Sequence, residues 1–443
     1  MIKARLGLFD LTMLIISMVI GVGIFKAPQL VAQKTGSVEL FFAAWIVAAI
    51  ISMFGALTFA EIGARYPVAG GFYRIFSYCF HPAIAFMLNW ALVIINASSS
   101  AGVALIGADY IAPVIFHSPT ESEKNVIVVI IVLALYLINM IGIRSGAKTQ
   151  NLLSGLKIFL ILFFCTAIFF APQASTSFHD SLISASGNAS PNFLLAFGAG
   201  LIFVFFAYGG YQNTINFGED VKEPQRNIPR SIFFAMAIIL ILYLLINVCY
   251  VMVLGFENVK ASPVVAASLA KQMFGNAGEA FASVVIFISV LGFLNSAFMY
   301  NPRIWYAMAE DHVLPKIFSR VNEKKQVQEF SLTLFTALIL IMFFSLGTFE
   351  RLLSYVMFTD TISLASAAAC IFILRNKMKS NAPYHGFRVA NSIIPIIFIL
   401  TICFVTVNVI LDDPRRSLIG AIVLAGGFPL YYLFRRIIIK SKI

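Results

Sequence analysis

The sequence predicts an all-α integral membrane protein of about twelve transmembrane helices, and three observations carry that expectation. Of 443 residues, 60% are hydrophobic and only 12% are charged, where a soluble domain carries about 25% charge. The apolar residues fall into runs near the roughly 20 residues that one bilayer crossing needs. Short polar loops join those runs, and the basic residues sit in the loops rather than in a stripe.

Taken in order, span 1 covers 8–33, follows Lys3 and Arg5, and stops at Lys34; span 2 covers 38–63 and stops at Arg65. Span 3 (82–112) lies beyond Arg74, span 4 (124–143) begins at Lys124, and Arg144 and Lys148 separate it from span 5 (151–171). A polar stretch over 171–192 precedes span 6 (193–218), and Lys222, Arg226 and Arg230 precede span 7 (231–254). Lys260 and Lys271 lie before span 8 (276–308), and the polar stretch 309–329 leads to span 9 (330–346). Arg351 opens span 10 (350–374), the basic segment 375–388 leads to span 11 (391–411), and Arg415 and Arg416 lead to span 12 (417–436).

An even number of spans puts both termini on one side. Of the 31 Lys and Arg, 22 fall in the segments on the terminal side, eight fall opposite, and Lys157 remains inside span 5. The positive-inside rule therefore places both termini in the cytoplasm and the chain in the cell (inner) membrane. The apolar run after Arg5 continues without a small-residue cleavage site, so it reads as a retained helix. The net charge of +11 comes with no aromatic-basic motif, so nucleic acid is not an expected partner. Cys79, Cys165, Cys249, Cys370 and Cys403 show no CxxC pairing and read as small apolar residues. His81, His117, His179, His312 and His385 are scattered over loops, so neither a metal nor a cofactor is expected. Asn188-Ala189-Ser190 fits a glycosylation sequon and reads as coincidence.

Two spans contain glycines where a helix should be continuous. Span 1 reads Ile20-Gly21-Val22-Gly23-Ile24-Phe25 with Pro28, and span 6 reads Phe205-Phe206-Ala207-Tyr208-Gly209-Gly210-Tyr211. Glycine costs about 1 kcal/mol inside a helix, and unwound backbone survives at membrane depth only where it lines a cavity or is buried. Small residues also let helices pack closely, but a matched pair of breaks, five spans apart, is the pattern of an inverted repeat with its site at the midplane. The repeats would be 1–172 (spans 1–5) and 173–376 (spans 6–10), followed by 377–443 with spans 11 and 12 and the C-terminus. An unwound segment offers N–H groups at the start of one half-helix and carbonyls at the end of the other. The donors of Gly21, Val22 and Gly23 suit a carboxylate, and carbonyls around Val19, Phe205, Phe206 and Ala207 suit an ammonium. A zwitterion is thereby desolvated without a protein charge at depth.

These residues, with others, resemble the amino acid–polyamine–organocation (APC) superfamily, in particular its L-type-like bacterial amino acid transporters. The stretch Gly21–Phe25 with Pro28 is similar to that family's carboxylate-binding motif, in which Val22 replaces a smaller residue. Phe59-Ala60-Glu61-Ile62-Gly63-Ala64-Arg65-Tyr66-Pro67, followed by Gly70-Gly71-Phe72-Tyr73, is similar to its helix 2 signature. Gly218-Glu219-Asp220-Val221-Lys222-Glu223-Pro224 with Ile228-Pro229-Arg230 resembles the loop after helix 6. Pro302-Arg303, Tyr306–Asp311 and Leu314-Pro315 resemble the segment after helix 8. The resemblance implies a leucine-transporter-type fold of ten core helices in two inverted repeats plus two, and alternating-access transport or exchange of amino acids. Gly209 stands where the family usually carries Asp or Ser.

The remaining candidates keep two readings each. Glu61 and Arg65, at i,i+4, form a structural ion pair or carry a proton. Asp360 is an acid inside span 10, functional by default or satisfied by Thr359 and Thr361. Asn96-Ala97-Ser98-Ser99-Ser100 packs helices together or lines the pocket, with Ser99 the pocket candidate. Phe293 and Asn295 lie where the family's pocket or gate usually falls, and Tyr208 adjoins the second break. Lys157 snorkels to the interface or, as the resemblance implies for sodium-independent members, stands in for a cation. In that role it bridges carbonyls near Ser17 and Met18 and the hydroxyl of Ser289.

The expected function is sodium-independent transport or exchange of neutral amino acids. A proton-coupled symporter of cationic amino acids or polyamines is the alternative, and a channel or intramembrane enzyme is more remote. The expected partners are a small amino acid and the lipid bilayer; oligomeric state is left open.

Overall fold

Uninterrupted apolar runs become the long helices of the computed structural model, which describes residues 3–116, 118–170, 193–262, 264–275, 277–346, 349–377, 386–412 and 414–440. The chain begins with α1 (Leu8–Val19) and α2 (Gly23–Thr35), a single apolar stretch bent by 41° at its break. Then come α3 (Val38–Arg65), α4 (Gly71–Cys79), α5 (Pro82–Ile115), α6 (Glu121–Ile141), α7 (Ile143–Cys165) and α8 (Ala167–Phe170). The second half holds α9 (Phe193–Tyr208), α10 (Pro224–Leu254), α11 (Phe256–Ala261), α12 (Val265–Phe274) and α13 (Ala277–Glu310). It closes with α14 (Glu329–Leu346), α15 (Phe349–Lys377), α16 (Ile393–Asp412) and α17 (Pro414–Lys440). Among the described residues, nine helices are long and apolar enough to cross a membrane, and the bent pair makes ten. The expected spans 6 and 9 coincide with α9 and α14, of 16 and 18 residues.

Local chemistry sets the starts. The Ser37 hydroxyl accepts from Leu40 N–H at 3.3 Å to open α3, and Thr120 and Glu123 form a reciprocal capping box at α6. The loop between α6 and α7 is Gly142 alone, so α7 starts at Ile143 rather than at 151. Arg144, Ser145 and Lys148 are polar in sequence yet helical, because hydropathy marks membrane depth and not the end of a helix. For the same reason α10 begins at Pro224, and α4, α11 and α12 form in segments expected as loops. The expected outer loop 173–190, the sequon at Asn188, and His117, His179 and His385 lie outside the described residues.

The core forms around α1, where every residue from Leu14 to Val19 is buried. α1 packs on α7, α10 and α13, α2 packs on α9, and α5 packs on α13 and α15. α16 and α17 are peripheral: 22% of each apolar window is buried, against 67% in α5.

The face bearing the N-terminus is knitted by polar contacts. Arg5 and Leu6 donate backbone N–H groups to the Asp220 carbonyl at 2.7 and 2.8 Å. Arg303 grips the Asp220 carboxylate at 2.5 and 3.0 Å while lying over the Phe217 ring. Arg74 pairs with Asp311, whose carboxyl burial pushes up and Arg74 pulls down. Glu61, fully buried, accepts from Arg65 at 2.7 Å, from Arg375 at 2.8 and 2.7 Å, and from Val389 N–H at 2.7 Å. The ion-pair reading of Glu61 therefore has a second arginine that local spacing did not reveal. Breaking a buried pair costs about 3–5 kcal/mol, so Glu61→Gln is expected to lower the thermal midpoint in detergent markedly. An unchanged midpoint in a thermal-shift size-exclusion assay would contradict the role.

Candidate substrate site at two helix breaks

The helix bond runs from N–H to the carbonyl four residues back, so each break frees a definable set of groups. At the end of α1, Gly21 N–H turns back to Val19 O at 2.8 Å instead of Ser17 O. The carbonyls of Ser17, Met18, Val19 and Ile20 are thereby released from the helical pattern. Lys157 takes two of them: its ammonium donates to Ser17 O at 3.1 Å and Ile20 O at 2.6 Å. Lys157 is 1% exposed, so it does not snorkel. The Tyr243 hydroxyl lies 3.0 Å from Val19 O and 3.2 Å from Ala207 O, bridging the two breaks.

On the other side of the first break, α2 starts at Gly23. Phe25 N–H returns to Val22 O at 3.1 Å, while the N–H groups of Val22, Gly23 and Ile24 have no acceptor among the described residues. Gly21, expected in this donor set, is already committed to Val19, and Ile24 takes its place. The first turn of a helix with open N–H groups is an anion site in waiting.

At the second break α9 ends at Tyr208, and the chain continues through Gly209 and Gly210 into a 3₁₀ turn over Tyr211–Asn216. Gly209 N–H bonds Phe206 O at 3.3 Å, which leaves Phe205 O without its helical donor. Gly210 has φ +124°, and a Cβ there would meet Met18 O at 2.6 Å. This glycine is required both for its conformation and for the contact between the breaks. Gly23 meets Ala207 in the same way: a Cβ would lie 3.1 Å from Ala207 Cα.

The remaining expected residues divide. Phe293 is half-buried beside the first break, 3.8 Å from where a Gly21 Cβ would stand. Tyr208 packs on Tyr243 and Trp45, with ring centroids 5.1 and 5.8 Å apart. Phe206 points outward, 43% exposed. The Ser289 hydroxyl donates to Val285 O of its own helix at 3.1 Å. It is Gly292, one turn on, that abuts Lys157: a Cβ there would stand 2.7 Å from Nζ. Asn295 is held in a network with Asn139, Gln150 and Gly146 that ties α6, α7 and α13, at 2.8, 2.6 and 3.0 Å. A committed amide of that kind braces helices rather than lining a pocket. Ser99 is half-buried on α5. Asp360 lines a small cavity with Asn96, Gln212, Asn213 and Ser363, its other walls being Phe72, Leu92, Ile304 and Leu364. Thr361 bonds Phe358 O and the Thr359 hydroxyl has no partner, so neither satisfies Asp360.

Tyr243 and Ile20 were not legible as site residues. The signal in sequence was a lone hydroxyl within the apolar run Ile238–Leu245, which carries no meaning until α10 is packed against both breaks.

A polytopic helical membrane protein with paired main-chain breaks at its centre has the form of a secondary transporter. The chain belongs to the amino acid permease family of the APC superfamily, whose family model matches residues 6–434, and it is an amino acid transporter. It is 29% identical to the human cystine/glutamate transporter over 440 residues, 98% of this chain and 85% of that protein. It is 27% identical to the human large neutral amino acids transporter small subunit 2 over 444 residues, 98% of this chain and 80% of the relative. The serine/threonine exchanger SteT of Bacillus subtilis (strain 168) is 28% identical over 439 residues, 97% of each chain.

Proposed function

We propose that this chain is a sodium-independent exchanger of neutral amino acids, working by alternating access in the cell membrane. Its twelve spans form two inverted five-helix repeats and two further helices, with both termini cytoplasmic. The substrate carboxylate sits on the open N–H groups of Val22, Gly23 and Ile24, and its ammonium meets freed carbonyls at Met18 and Phe205. The observation that carries the reading is the Lys157 ammonium on Ser17 O and Ile20 O. An ammonium on those carbonyls does what a bound sodium ion would do. Neutral substrates fit because neither unwound segment carries an acidic or basic side chain, and two of the three relatives are named for neutral substrates.

The test is counterflow in proteoliposomes. Labelled alanine, serine or leucine is expected to enter in choline medium when an unlabelled neutral amino acid is inside, and to enter poorly when the lumen is empty. Uptake that needs a sodium or proton gradient and ignores the internal amino acid would contradict the proposal.

A further inference from the structure

The cavity beside the second break holds a charge that the proposed zwitterion site does not use. Asp360 of α15 is half-buried, and its carboxylate makes no hydrogen bond or ion pair among the described residues. Ser363, one turn along the same helix face, is 1% exposed, and its hydroxyl has no partner. Opposite stand Asn96 of α5 and Gln212 and Asn213 of the 3₁₀ turn. The cavity is joined to the break directly, since Gln212 Oε1 accepts from Gly210 N–H at 2.9 Å and Asn213 N–H donates to Gly210 O at 3.1 Å.

The committed atoms define what remains free. Asn96 gives one amide hydrogen to Asn301 at 2.8 Å, which leaves its second hydrogen and its carbonyl oxygen; Gln212 commits its oxygen to Gly210, which leaves both hydrogens of its amide. No lysine, arginine or histidine lines the cavity. The polar part of the wall therefore offers amide donors and an acceptor, carries one negative charge, and includes an orphaned buried hydroxyl. Buried polar groups left unpartnered are costly unless a ligand meets them.

We propose that this cavity takes the side chain of the transported amino acid, and that Asp360 makes it selective for side chains that donate hydrogen bonds while refusing acidic ones. The inference rests on the zwitterion site at the two breaks and names what lies beyond its α-carbon. A hydroxyl or carboxamide group donates to the Asp360 carboxylate and receives from Gln212. A side-chain carboxylate brings a second negative charge into a poorly screened space and is repelled. The charge thus separates glutamine from glutamate, which are nearly equal in shape. A relative at 29% identity is named for glutamate, so the family fold alone does not impose this refusal.

The experiment compares glutamine and glutamate on wild type, Asp360→Asn and Asp360→Glu, with alanine counterflow on wild type as the reference for the zwitterion site. Each amino acid is read both as uptake and as a ligand-dependent rise in thermal midpoint, so a variant that binds without moving substrate is still scored. Wild type and Asp360→Glu are expected to favour glutamine strongly. Asp360→Asn is expected to raise the glutamate-to-glutamine ratio by about tenfold or more. Equal handling of the two by wild type, or the same ratio in wild type and Asp360→Asn, overturns the proposal. Loss of alanine counterflow in wild type strikes the zwitterion site itself, a separately visible result.

Discussion

Lys157→Ala is expected to abolish transport while the protein still folds and inserts. Its ammonium satisfies Ser17 O and Ile20 O, two of the four carbonyls that the α1 break releases. Leaving a buried acceptor unpaired costs about 1–3 kcal/mol, so two together disfavour the broken conformation by about thirtyfold or more. Lys157→Met keeps the bulk and removes the charge, and it is expected to fail equally, which separates charge from packing. Gly292→Ala approaches the same point from α13, because its Cβ would stand 2.7 Å from Lys157 Cε and Nζ; a partial loss is expected. The readout is counterflow uptake by reconstituted protein of normal elution volume. Wild-type uptake should be the same in choline and in sodium. A fully active Lys157→Ala, or a strict sodium requirement in wild type, would remove the cation role.

Gly23→Leu is the second large effect. The structure gives the glycine two reasons to be small. Its N–H belongs to the open first turn of α2, and its Cα faces the Ala207 backbone, so that a methyl group at this position would meet Ala207 Cα at 3.1 Å and Cβ at 3.3 Å. A methyl asks the neighbour to give by tenths of an ångström; a leucine must push the two breaks apart. Overpacking costs about 1–3 kcal/mol, spent here at the contact that sets the spacing of carboxylate donors and ammonium acceptors. Gly23→Ala is expected to weaken binding with transport retained, and Gly23→Leu to lose both uptake and the ligand-induced thermal shift. A folded Gly23→Leu that transports at the wild-type rate would show that the breaks need not touch.

Much of this was legible in sequence because glycine placement is a local signal. Gly21, Gly23, Gly209 and Gly210 marked both breaks, and the breaks are where the sequence put them. Lys157 was legible because a lysine inside an apolar span demands a partner, although not every partner was the expected one. Ser17 O was right. Ile20 O replaced the Met18 carbonyl, because the way a break redistributes carbonyls depends on the turn that Gly21 N–H makes, and the Ser289 hydroxyl is instead bonded to Val285 O of its own helix. Asn295 was read as pocket or gate from its place in the resemblance; its direction around α13 is a matter of packing, and it points to Asn139 and Gln150. Long-range polar partners were the least legible. Glu61 and Arg65 are four residues apart, but Arg375 reaches Glu61 from 314 residues away. Tyr243 reaches Val19 across 224 residues. Three of the four motifs that carried the family resemblance include the residues that knit the N-terminal face, namely Glu61, Asp220, Arg303 and Asp311.

The central claim is that backbone atoms at the two breaks hold the α-carboxylate and α-ammonium of the substrate together. The most direct measurement is competition against labelled substrate by a matched set: the neutral amino acid, its decarboxylated amine, and its deaminated acid. Each half-ligand leaves either the α2 N–H groups or the freed carbonyls unmet, and each is expected to compete at least about a hundredfold less well than the whole amino acid. An amine or an acid that competes as well as the amino acid would contradict recognition at the breaks.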